Sequence, residues 1–332
     1  MRSVESLITD QHYKKLTWGV ILIPVSIIFY MLQSVRNFLY KIKVLNVKKI
    51  DIPVVIVGNI TVGGTGKTPF IIELANRLIQ KKIKVGIVSR GYKSEYSNPR
   101  EVSISSFYRD VGDEPLLIKT KVNCPVFVGK NRFLTANHLI KRYPETNIIL
   151  SDDGLQHYSL FRDYEFILVD GLRYFGNEMM LPAGPLREPL SRLKKADAII
   201  VNEGNGRLTI PKAKLIKSYC DDKLTSISGK KHINFSSINN KGLVAITAIA
   251  NPNKFFRTLK LKNLNFTQVV FDDHYNFRQS DFDAYEDMHI IMTEKDAIKC
   301  AHIKHSNIWV ASISLNIEDD LINNMLIKVG LN

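Results

Sequence analysis

The chain of 332 residues is 45% hydrophobic and 23% charged, which excludes an intrinsically disordered protein and predicts two domains with sizeable cores. Its formal net charge is +14. Three cysteines, Cys124, Cys220 and Cys300, lie far apart, which excludes a disulfide framework and a zinc site of paired cysteines and is typical of a reducing compartment.

The N-terminal segment combines the longest apolar run with much of the positive charge. Residues 16–35 contain no charged side chain, and a helix of that length, at about 1.5 Å per residue, spans roughly the hydrocarbon layer of a bilayer. The first fifty residues hold eight lysines and arginines against two acidic residues, with five of the cations after the apolar run. The positive-inside rule therefore places the rest of the chain in the cytoplasm. A buried core helix with a solvated basic extension is the alternative.

Directly after the apolar run, the pattern changes to that of a basic amphipathic helix. Apolar side chains recur at helical spacing at Val35, Phe38, Leu39 and Ile42, and arginine and lysine lie between them. Such a helix binds the anionic surface of a membrane. A cleaved signal peptide is not expected, because no small-residue cleavage site follows the apolar run. We therefore predict a membrane-anchoring segment over residues 1–46.

Residues 51–77 have the layout of a phosphate-binding P-loop, with an apolar strand, a glycine-rich turn and an amphipathic helix. The turn consists of Thr61, Val62, Gly63, Gly64, Thr65, Gly66, Lys67 and Thr68. Its glycines let backbone N–H groups surround phosphate oxygens, Lys67 brings a cation to the β- and γ-phosphates, and Thr68 offers a hydroxyl to Mg²⁺. The general motif has glycine at the position of Thr61. A glycine-rich turn without a ligand is the alternative.

Strands and helices alternate after the P-loop helix. The segments KVGIVSR, PVFVG, NIILSDDG, EFILVDG and ADAIIVNEG are predicted strands, and a helix is predicted from about Asn131 to Arg142. This order predicts a doubly wound α/β domain with a mainly parallel sheet and a site at the carboxyl ends of its strands. We interpret the polar residues 205–240 as the edge of this domain and a connection, and predict the domain over residues 47–228.

A second, shorter alternation begins near residue 242 and predicts a smaller α/β domain over residues 229–332. Its segments are GLVAITAIANPNKFFRTL, TQVVFDDHYNF, HIIMTEKDAI and NIWVASISL. His274 follows a predicted strand, where a lone histidine is more often structural than catalytic. At Thr293 and Asp296, helix capping explains the residue types as well as catalysis does.

Acidic side chains occur at two loops of the first domain. Asp152 and Asp153 end a predicted strand. In a P-loop protein, carboxylates at this position hold Mg²⁺ opposite the P-loop threonine. The alternative is that two adjacent acids simply form an ordinary turn. Asp113 and Glu114 precede a helix in the segment VGDEP. Phosphoryl transfer to a hydroxyl needs a proton acceptor, and Asp113 could serve, but from spacing alone a helix cap is favoured.

Other polar side chains are predicted on the same rim of the sheet. Gln156 and His157 follow the paired acids, where substrate binding and loop packing fit the sequence equally well. Arg90, Lys93 and Arg187 lie on loops after strands, where contact with phosphate competes with plain solvation.

Nine segments follow one another between residue 54 and about residue 299: VGNITVGGTGKTP, SRGYK, VGDEP, VGKNR, SDDGLQH, LPAGPLREP, AIANPNKFF, FDDHYNF and TEKDA. In this order they resemble the lipid A disaccharide 4′-kinase family. The N-terminal hydrophobic helix fits this family, and so does Thr61, because P-loops of the family begin with Ser or Thr. The resemblance implies a P-loop NTPase-like α/β fold that uses ATP and Mg²⁺.

The resemblance also implies a reaction, in which ATP phosphorylates the 4′-hydroxyl of a tetraacylated glucosamine disaccharide 1-phosphate and forms lipid IVA for lipopolysaccharide synthesis. The enzyme is expected on the cytoplasmic face of the bacterial inner membrane, as a monomer that binds no nucleic acid. The alternative is a membrane-attached P-loop NTPase that hydrolyses nucleotide as a switch and has no phosphate acceptor. A kinase for a soluble nucleotide or sugar leaves the basic N-terminal helix unexplained.

Catalytic roles follow from the same resemblance. Asp113 matches the general base that accepts the hydroxyl proton. His274 matches a residue that supports this base when the domains close. Lys67 is expected to stabilise the transferring phosphoryl group.

Binding roles follow in the same way. Mg²⁺ is expected to be organised by oxygen ligands from the set Thr68, Asp152, Asp153 and Glu114. The nucleotide is expected on the P-loop turn, residues 61–68. Arg132 of VGKNR and Gln156 of SDDGLQH are expected to contact the nucleotide or the acceptor.

Overall fold

The computed structural model describes residues 12–13, 18–92, 98–203, 210–211, 213–238 and 242–331. Lys93 and residues 16–17 of the apolar run lie outside these ranges. By its internal contacts the chain divides into two units. The first runs up to Lys217 and resumes at Leu315, and the second is Ser218–Ser314.

Helix α1, Ile23–Lys41, follows a 3₁₀ turn at Trp18–Leu22. Gly19–Lys41 is long and apolar enough to cross a membrane, with a mean hydropathy of 1.7 over its most apolar window, of which 11% is buried. A core helix would be mostly buried, so α1 is not a core helix. The buried exception in the helix is Ser26, whose hydroxyl donates to the carbonyl of Leu22 and accepts from the N–H of Ala183 at 2.9 Å.

Within the described residues, the first unit contains an eight-stranded sheet ordered β3-β4-β2-β5-β1-β6-β7-β8, parallel except for β3 against β4. The strands are β1 Val54–Gly58, β2 Val85–Ser89, β3 Arg100–Glu101, β4 Val126–Val128, β5 Ile148–Asp152, β6 Tyr164–Asp170, β7 Ala198–Asn202 and β8 Ala213–Ile216. Every residue of β1, β2, β5, β6 and β7 is buried. Because neighbouring side chains point to opposite faces, both faces of the sheet are covered.

Helices join these strands. They are α2 Lys67–Gln80, α3 Tyr108–Val111, α4 Asp113–Lys121 and α5 Arg132–Arg142, with a 3₁₀ segment at Leu190–Lys195. Helix α2 buries Phe70, Ile71, Leu74, Ala75 and Leu78, which form one apolar stripe at helical spacing. Helix α5 begins after Asn131, whose side chain accepts the N–H of Leu134 at 3.1 Å, so the helix predicted from about Asn131 to Arg142 is confirmed.

The second unit contains a six-stranded sheet, counted over the described residues, in the order β10-β9-β14-β13-β11-β12. The strands are β9 Ser218–Ser226, β10 His232–Asn234, β11 Leu243–Thr247, β12 Thr267–Val270, β13 His289–Thr293 and β14 Ile308–Leu315. Its helices are α6 Pro252–Leu261 and α7 Glu294–Lys299, and 3₁₀ turns lie at Phe235–Ser237, Gln279–Asp281 and Asp283–Tyr285. Strands β11, β12, β13 and β14 are parallel, whereas β9 and β10 are antiparallel.

The division at Lys217 differs from the predicted boundary at residue 228, and the cause is strand pairing. Strand β8 joins the first sheet beside β7, whereas β9 joins the second sheet between β10 and β14. The polar stretch interpreted as a connection therefore supplies strands to both sheets. The last helix, α8 Asp319–Val329, contacts β6 and belongs with the first unit, not with the predicted C-terminal domain.

Candidate active site

The glycine-rich turn lies at the carboxyl end of β1 and leads into the first turn of α2. Gly63 and Gly66 have φ of +100° and +91°, a left-handed backbone that favours glycine. A Cβ added at Gly66 would lie 2.4 Å from Nδ2 of Asn202. The turn therefore needs glycine at position 66 for both its backbone angle and its close approach to β7.

The first half of this turn is paired with the segment LPAGPLREP. The N–H of Val62 donates to the carbonyl of Pro185 at 2.8 Å, and the N–H of Arg187 donates to the carbonyl of Ile60 at 2.7 Å. Thr61 forms an antiparallel bridge with Leu186 and is buried. The residue that departs from the general P-loop motif thus lies inside a backbone pairing.

Lys67 is held by two oxygen atoms at the start of α2. Its Nζ donates to Oδ1 of Asn59 at 3.1 Å and lies 3.5 Å from Oδ1 of Asp153. Nη1 of Arg187 donates to Oδ2 of the same carboxylate at 3.0 Å. Although burial acts in the opposite direction, the charges of Lys67 and Arg187 hold the pKa of Asp153 well below its usual range. Two cations and one ionised carboxylate therefore meet beside the glycine-rich turn.

Asp152 has a different environment from its neighbour. It is fully buried at the end of β5, and its Oδ2 accepts from the hydroxyl of Ser89 at 2.8 Å. Burial raises its pKa to about 6, and the negative charges of Glu114 and Asp153 act in the same direction. Its other oxygen, Oδ1, is buried and has no hydrogen-bond partner among the described residues.

Oδ1 of Asp152 shows whether this site could bind a metal ion. A buried carboxylate oxygen without a partner is costly unless a ligand uses it. Within the described ranges, no three His, Cys, Asp or Glu side chains could enclose a metal ion. Mg²⁺ does not need such a cage, because it keeps several waters and binds one or two carboxylates together with substrate phosphates. The oxygens of Asp152 and the partly buried Thr68 fit Mg²⁺ of that kind.

Arg132 and Gln156 hold the loops of the site together. Nη2 of the fully buried Arg132 donates to the carbonyl of Asp152 at 2.8 Å, and burial lowers the pKa of its guanidinium to about 10. Nε2 of Gln156 donates to the carbonyl of Asn59 at 3.1 Å and to Oε1 of Glu188 at 3.2 Å. In the structure both side chains brace the backbone, and their contact with nucleotide or acceptor stays a prediction.

His157 is neutral at neutral pH. Burial lowers its pKa to about 4, and the positive charges of Arg132 and Arg90 act in the same direction. Without a bound anion, His157 therefore adds no positive charge to the site near pH 7.

Asp113 is buried at the first position of α4 and is not the N-cap. Gly112 occupies the N-cap position with φ of +91° and without a side-chain cap. Oδ1 of Asp113 accepts the N–H of Glu114 at 2.9 Å. Asp113 is therefore not the N-cap residue that spacing favoured, although its carboxylate accepts an N–H of the first helical turn. Because the charge of Glu114 acts on Asp152, the VGDEP segment lies near the paired acids.

His274 lies in the second unit, on the segment after β12, with φ of +60°. Its backbone N–H donates to the carbonyl of Ala248 at 3.2 Å. Its Nε2 is 3.3 Å from Nζ of Lys295 and 3.8 Å from Oδ2 of Asp273. The second unit thus brings the segments AIANPNKFF, FDDHYNF and TEKDA together around this histidine.

A buried carboxylate joins two of these segments. Asp296 accepts from the hydroxyls of Thr247 and Thr293 at 2.8 Å each and lies 3.0 Å from Nζ of Lys299. The hydroxyl of Thr293 also accepts the N–H of Asp296 and caps α7, so the capping interpretation is confirmed for Thr293.

Comparison with known proteins gives the same assignment over almost the whole chain. The family model described as tetraacyldisaccharide-1-P 4′-kinase matches residues 18–330. A tetraacyldisaccharide 4′-kinase of Methylobacillus flagellatus is 39% identical over 322 residues, 96% of this chain and 94% of that protein. The chain belongs to the tetraacyldisaccharide 4′-kinase family. The resemblance carried by the nine sequence segments is therefore confirmed.

Two further relatives support the family assignment. A tetraacyldisaccharide 4′-kinase of Francisella tularensis subsp. novicida is 38% identical over 310 residues, which cover 90% of this chain and 94% of that protein. The crystal structure of LpxK from Aquifex aeolicus in complex with ATP superposes with a TM-score of 0.78 at 26% identity, covering 94% of this chain and 99% of that one. The predicted α/β fold class is confirmed for this member of the kinase family.

Three polar residues of this kinase site were missed at the sequence level. Asn59 holds Lys67, Ser89 donates to Asp152, and Nδ2 of Asn202 donates to the carbonyl of Thr65 at 3.4 Å. Each stands at, or one residue beyond, the carboxyl end of a buried apolar strand. That position is the signal that could have identified them, since ligands of open α/β sheets bind there.

The two adjacent acids predict opposite effects on stability. The carboxyl of Asp152 binds its proton more tightly in the folded state, so the free energy of unfolding falls as pH rises from about 4 to above 6. Asp152→Asn is therefore expected to raise Tm by a few degrees at pH 7.5 and less at pH 5.

Asp153→Asn removes a carboxylate with a lowered pKa and is expected to lower Tm at pH 7.5. Thermal unfolding with EDTA and without nucleotide measures both; a lower Tm for Asp152→Asn at pH 7.5 would contradict the first.

Proposed function

We propose that this chain is a kinase that transfers the γ-phosphate of ATP to the 4′-hydroxyl of tetraacyldisaccharide 1-phosphate and forms lipid IVA. The observation that carries the proposal is a family match over residues 18–330 combined with a P-loop whose lysine is held by Asn59 and Asp153. The relatives named above carry the name of this activity, and the A. aeolicus protein was crystallised with ATP. The alternative, an NTPase switch without an acceptor, is not favoured.

The proposed phosphate site is the P-loop turn. Its backbone N–H groups and the N-terminus of α2 bind phosphate oxygens, and Lys67 exchanges its contacts with Asn59 and Asp153 for the phosphates. Arg187, on the other side of Asp153, adds a second cation. When bound, Mg²⁺ would neutralise charge on the phosphates, and its ligands would come from Thr68 and Asp152, with Asp153 and Glu114 as further candidates.

The proposed proton acceptor is Asp113. It is buried at the first position of α4, next to Glu114, whose charge acts on Asp152. A carboxylate there could accept the proton of the acceptor hydroxyl as the phosphoryl group transfers. His274, with Lys295 and Asp273 around its ring, is the proposed support for this step in the second unit.

The proposed location is the cytoplasmic face of the bacterial inner membrane, with the chain as a monomer that does not bind nucleic acid. Helix α1 supports this location because its exposed side chains are mostly apolar, among them Ile28, Met31, Leu32 and Val35. Lysine and arginine follow them at the C-terminal end of the helix, where anionic headgroups would lie.

A fourfold variant of α1 tests the membrane proposal. Replacing Ile28, Met31, Leu32 and Val35 by glutamine is expected to lower partitioning into phospholipid vesicles by about 10² or more, because each apolar side chain contributes roughly 1.5–3 kcal/mol when buried. Vesicle flotation at high salt measures this. The exposed apolar residues Leu261 and Ile327, replaced by glutamine, are the matched control. Unchanged flotation of the fourfold variant would contradict anchoring by α1.

A direct assay tests the reaction. Purified protein in detergent micelles is incubated with Mg-ATP and tetraacyldisaccharide 1-phosphate, and mass spectrometry with ³¹P NMR locates the new phosphate. Phosphate at the 4′ position, and none with a 4′-deoxy acceptor, is the expected result. ATP hydrolysis that is independent of acceptor, without a phosphorylated lipid, would favour the NTPase switch.

A further inference from the structure

A cavity outside the P-loop site lies where α1 meets the segment after LPAGPLREP. Its volume is about 330 Å³, and its lining includes Tyr40 and Lys41 of α1, Tyr158 after the paired acids, and Ser191, Arg192 and Lys195 of the 3₁₀ segment. All of these residues belong to the first unit. Apart from Lys41, which belongs to the basic amphipathic pattern, none of them was assigned a role by the sequence patterns or by the proposed mechanism.

The charge of the accessible part of this cavity is positive. The acid in its lining is Glu188, which is 1% exposed and accepts from Oη of Tyr158 and Nε2 of Gln156. Lys41 and Lys195, in contrast, are exposed at the rim. A third cation lies beside them, because the guanidinium of Arg36 is 5.8 and 5.9 Å from the ring centroids of Tyr40 and Tyr158.

Arg192 provides a buried donor that has no acceptor in the part of the chain that the structure describes. Its side chain is 7% exposed, and its Nη2 donates to Oε1 of Glu165 while its Nε donates to Oη of Tyr158 at 3.3 Å. Its Nη1 is buried and has no hydrogen-bond partner among the residues that the structure describes. Nε also lies 3.5 Å from Oε2 of Glu188. A guanidinium donates most favourably to carboxylate and phosphate oxygens, so an anionic oxygen would be a favourable partner for Nη1.

The position of the cavity on α1 identifies the source of this anion. Val35 ends the uncharged run, and Lys41 follows six residues later, about 9 Å further along the helix axis. Ser26, inside the uncharged run, is bonded to Ala183, so α1 lies against the first unit with its other, apolar face exposed. When this apolar face contacts a bilayer, the basic end of α1 and the cavity beside Lys41 lie at the membrane surface, next to the lipid phosphates.

We propose that this cavity binds the phosphomonoester headgroup of a lipid, with phosphate oxygens on Nζ of Lys41, Nζ of Lys195 and Nη1 of Arg192. The hydroxyl of Ser191 and the ring pair of Tyr40 and Tyr158, with centroids 5.9 Å apart, border the same space and suit the polar group that carries the phosphate. Gln156 connects the wall of the cavity to the P-loop, because it donates to both Glu188 and Asn59.

Binding to vesicles tests the site without using enzymatic activity. Phosphatidylcholine vesicles carry phosphatidic acid, a phosphomonoester, or twice its mole fraction of phosphatidylglycerol, so that surface charge is matched. The native chain is expected to bind the phosphatidic acid vesicles about tenfold more tightly than the phosphatidylglycerol vesicles of matched surface charge. The variant K41Q/K195Q is expected to lose this preference.

The matched control is K43Q/K194Q, which removes the same charge from exposed neighbours that do not line the cavity. It is expected to weaken binding to both kinds of vesicle equally and to retain the preference. Equal behaviour of the two double variants would overturn the proposal. Loss of the native preference in low millimolar inorganic phosphate would identify a site for the free ion and would overturn the assignment to a lipid headgroup.

A kinetic experiment identifies which lipid carries the phosphate, and this step rests on the proposed function. If it is the 1-phosphate of the acceptor, K41Q/K195Q is expected to raise KM for tetraacyldisaccharide 1-phosphate about tenfold relative to KM for the same disaccharide without that phosphate. The control K43Q/K194Q is expected to keep the native ratio. If K41Q/K195Q loses the vesicle preference but keeps the native KM ratio, the phosphate belongs to a bilayer lipid and not to the acceptor. Absence of turnover in the native chain would contradict the proposed kinase, while the vesicle result would still stand.

Discussion

Lys67→Ala is expected to lower kcat by about 10²-fold or more while the fold stays intact, because a preorganised cation on a transferring phosphoryl group acts mainly in the transition state. In the structure Nζ of Lys67 is already positioned by Asn59 and Asp153 beside the glycine-rich turn. Steady-state kinetics with the lipid acceptor, together with a Tm measurement, tests this. The KM for ATP is expected to change less than kcat.

Two variants make this test specific. Lys81→Ala removes an exposed lysine just after the other end of α2 and is expected to leave kcat unchanged. Lys67→Arg keeps the charge but changes its geometry, and is expected to recover only part of the rate because a planar guanidinium does not replace a compact ammonium. Near-normal turnover of Lys67→Ala would remove the P-loop lysine from the mechanism.

The second large effect is expected at Asp113 and His274. If Asp113 accepts the proton of the acceptor hydroxyl and His274 supports it, each alanine variant should lose about 10²-fold or more in kcat. The double variant should be little worse than the poorer single variant, because residues that act as a unit lose the same function once. ATP affinity, measured separately by titration calorimetry, should change little in all three.

Matched controls separate a chemical role from a general disturbance. Asp110→Ala removes a more exposed aspartate, paired with Arg100, three residues before Asp113, and His232→Ala removes an exposed histidine of the second unit. Both should keep nearly the full rate. Multiplicative losses in the double variant would mean that Asp113 and His274 act independently. Normal turnover of Asp113→Ala would leave that carboxylate with a structural role.

The fold was largely predictable because its signals are local. The strands were visible in the sequence as short apolar segments, and the P-loop helix as apolar residues at helical spacing. The structure has these elements in the expected order. The boundary at residue 228 was not predictable in the same way. Strand β9, SYCDDKLTS, is polar and half exposed, and its membership in the second sheet is decided by pairing with β10 and β14. The return of α8 to the first unit depends likewise on contacts between distant parts of the chain.

The site was predictable in composition but not in its electrostatics. Asp152 and Asp153 are neighbours in sequence, yet burial raises the pKa of one, whereas two cations lower the pKa of the other. The strand ends at Asp152, so successive side chains enter different surroundings. Arg132, whose contact with a ligand stays a prediction, holds the carbonyl of Asp152 from a fully buried position. Such differences depend on three-dimensional packing, which residue spacing does not record.

Helix α1 is fastened to the first unit at points close to the nucleotide site. Ser26 binds the N–H of Ala183, in the segment that pairs with the P-loop, and Arg36 donates to the carbonyl of Gln156 at 3.1 Å. A helix held in this way is not a flexible tether. On the proposed membrane placement, the phosphate-binding turn therefore stays at a constant height above the bilayer surface. The search for an acceptor then becomes lateral diffusion in two dimensions, and only lipids whose sugar reaches that height are phosphorylated.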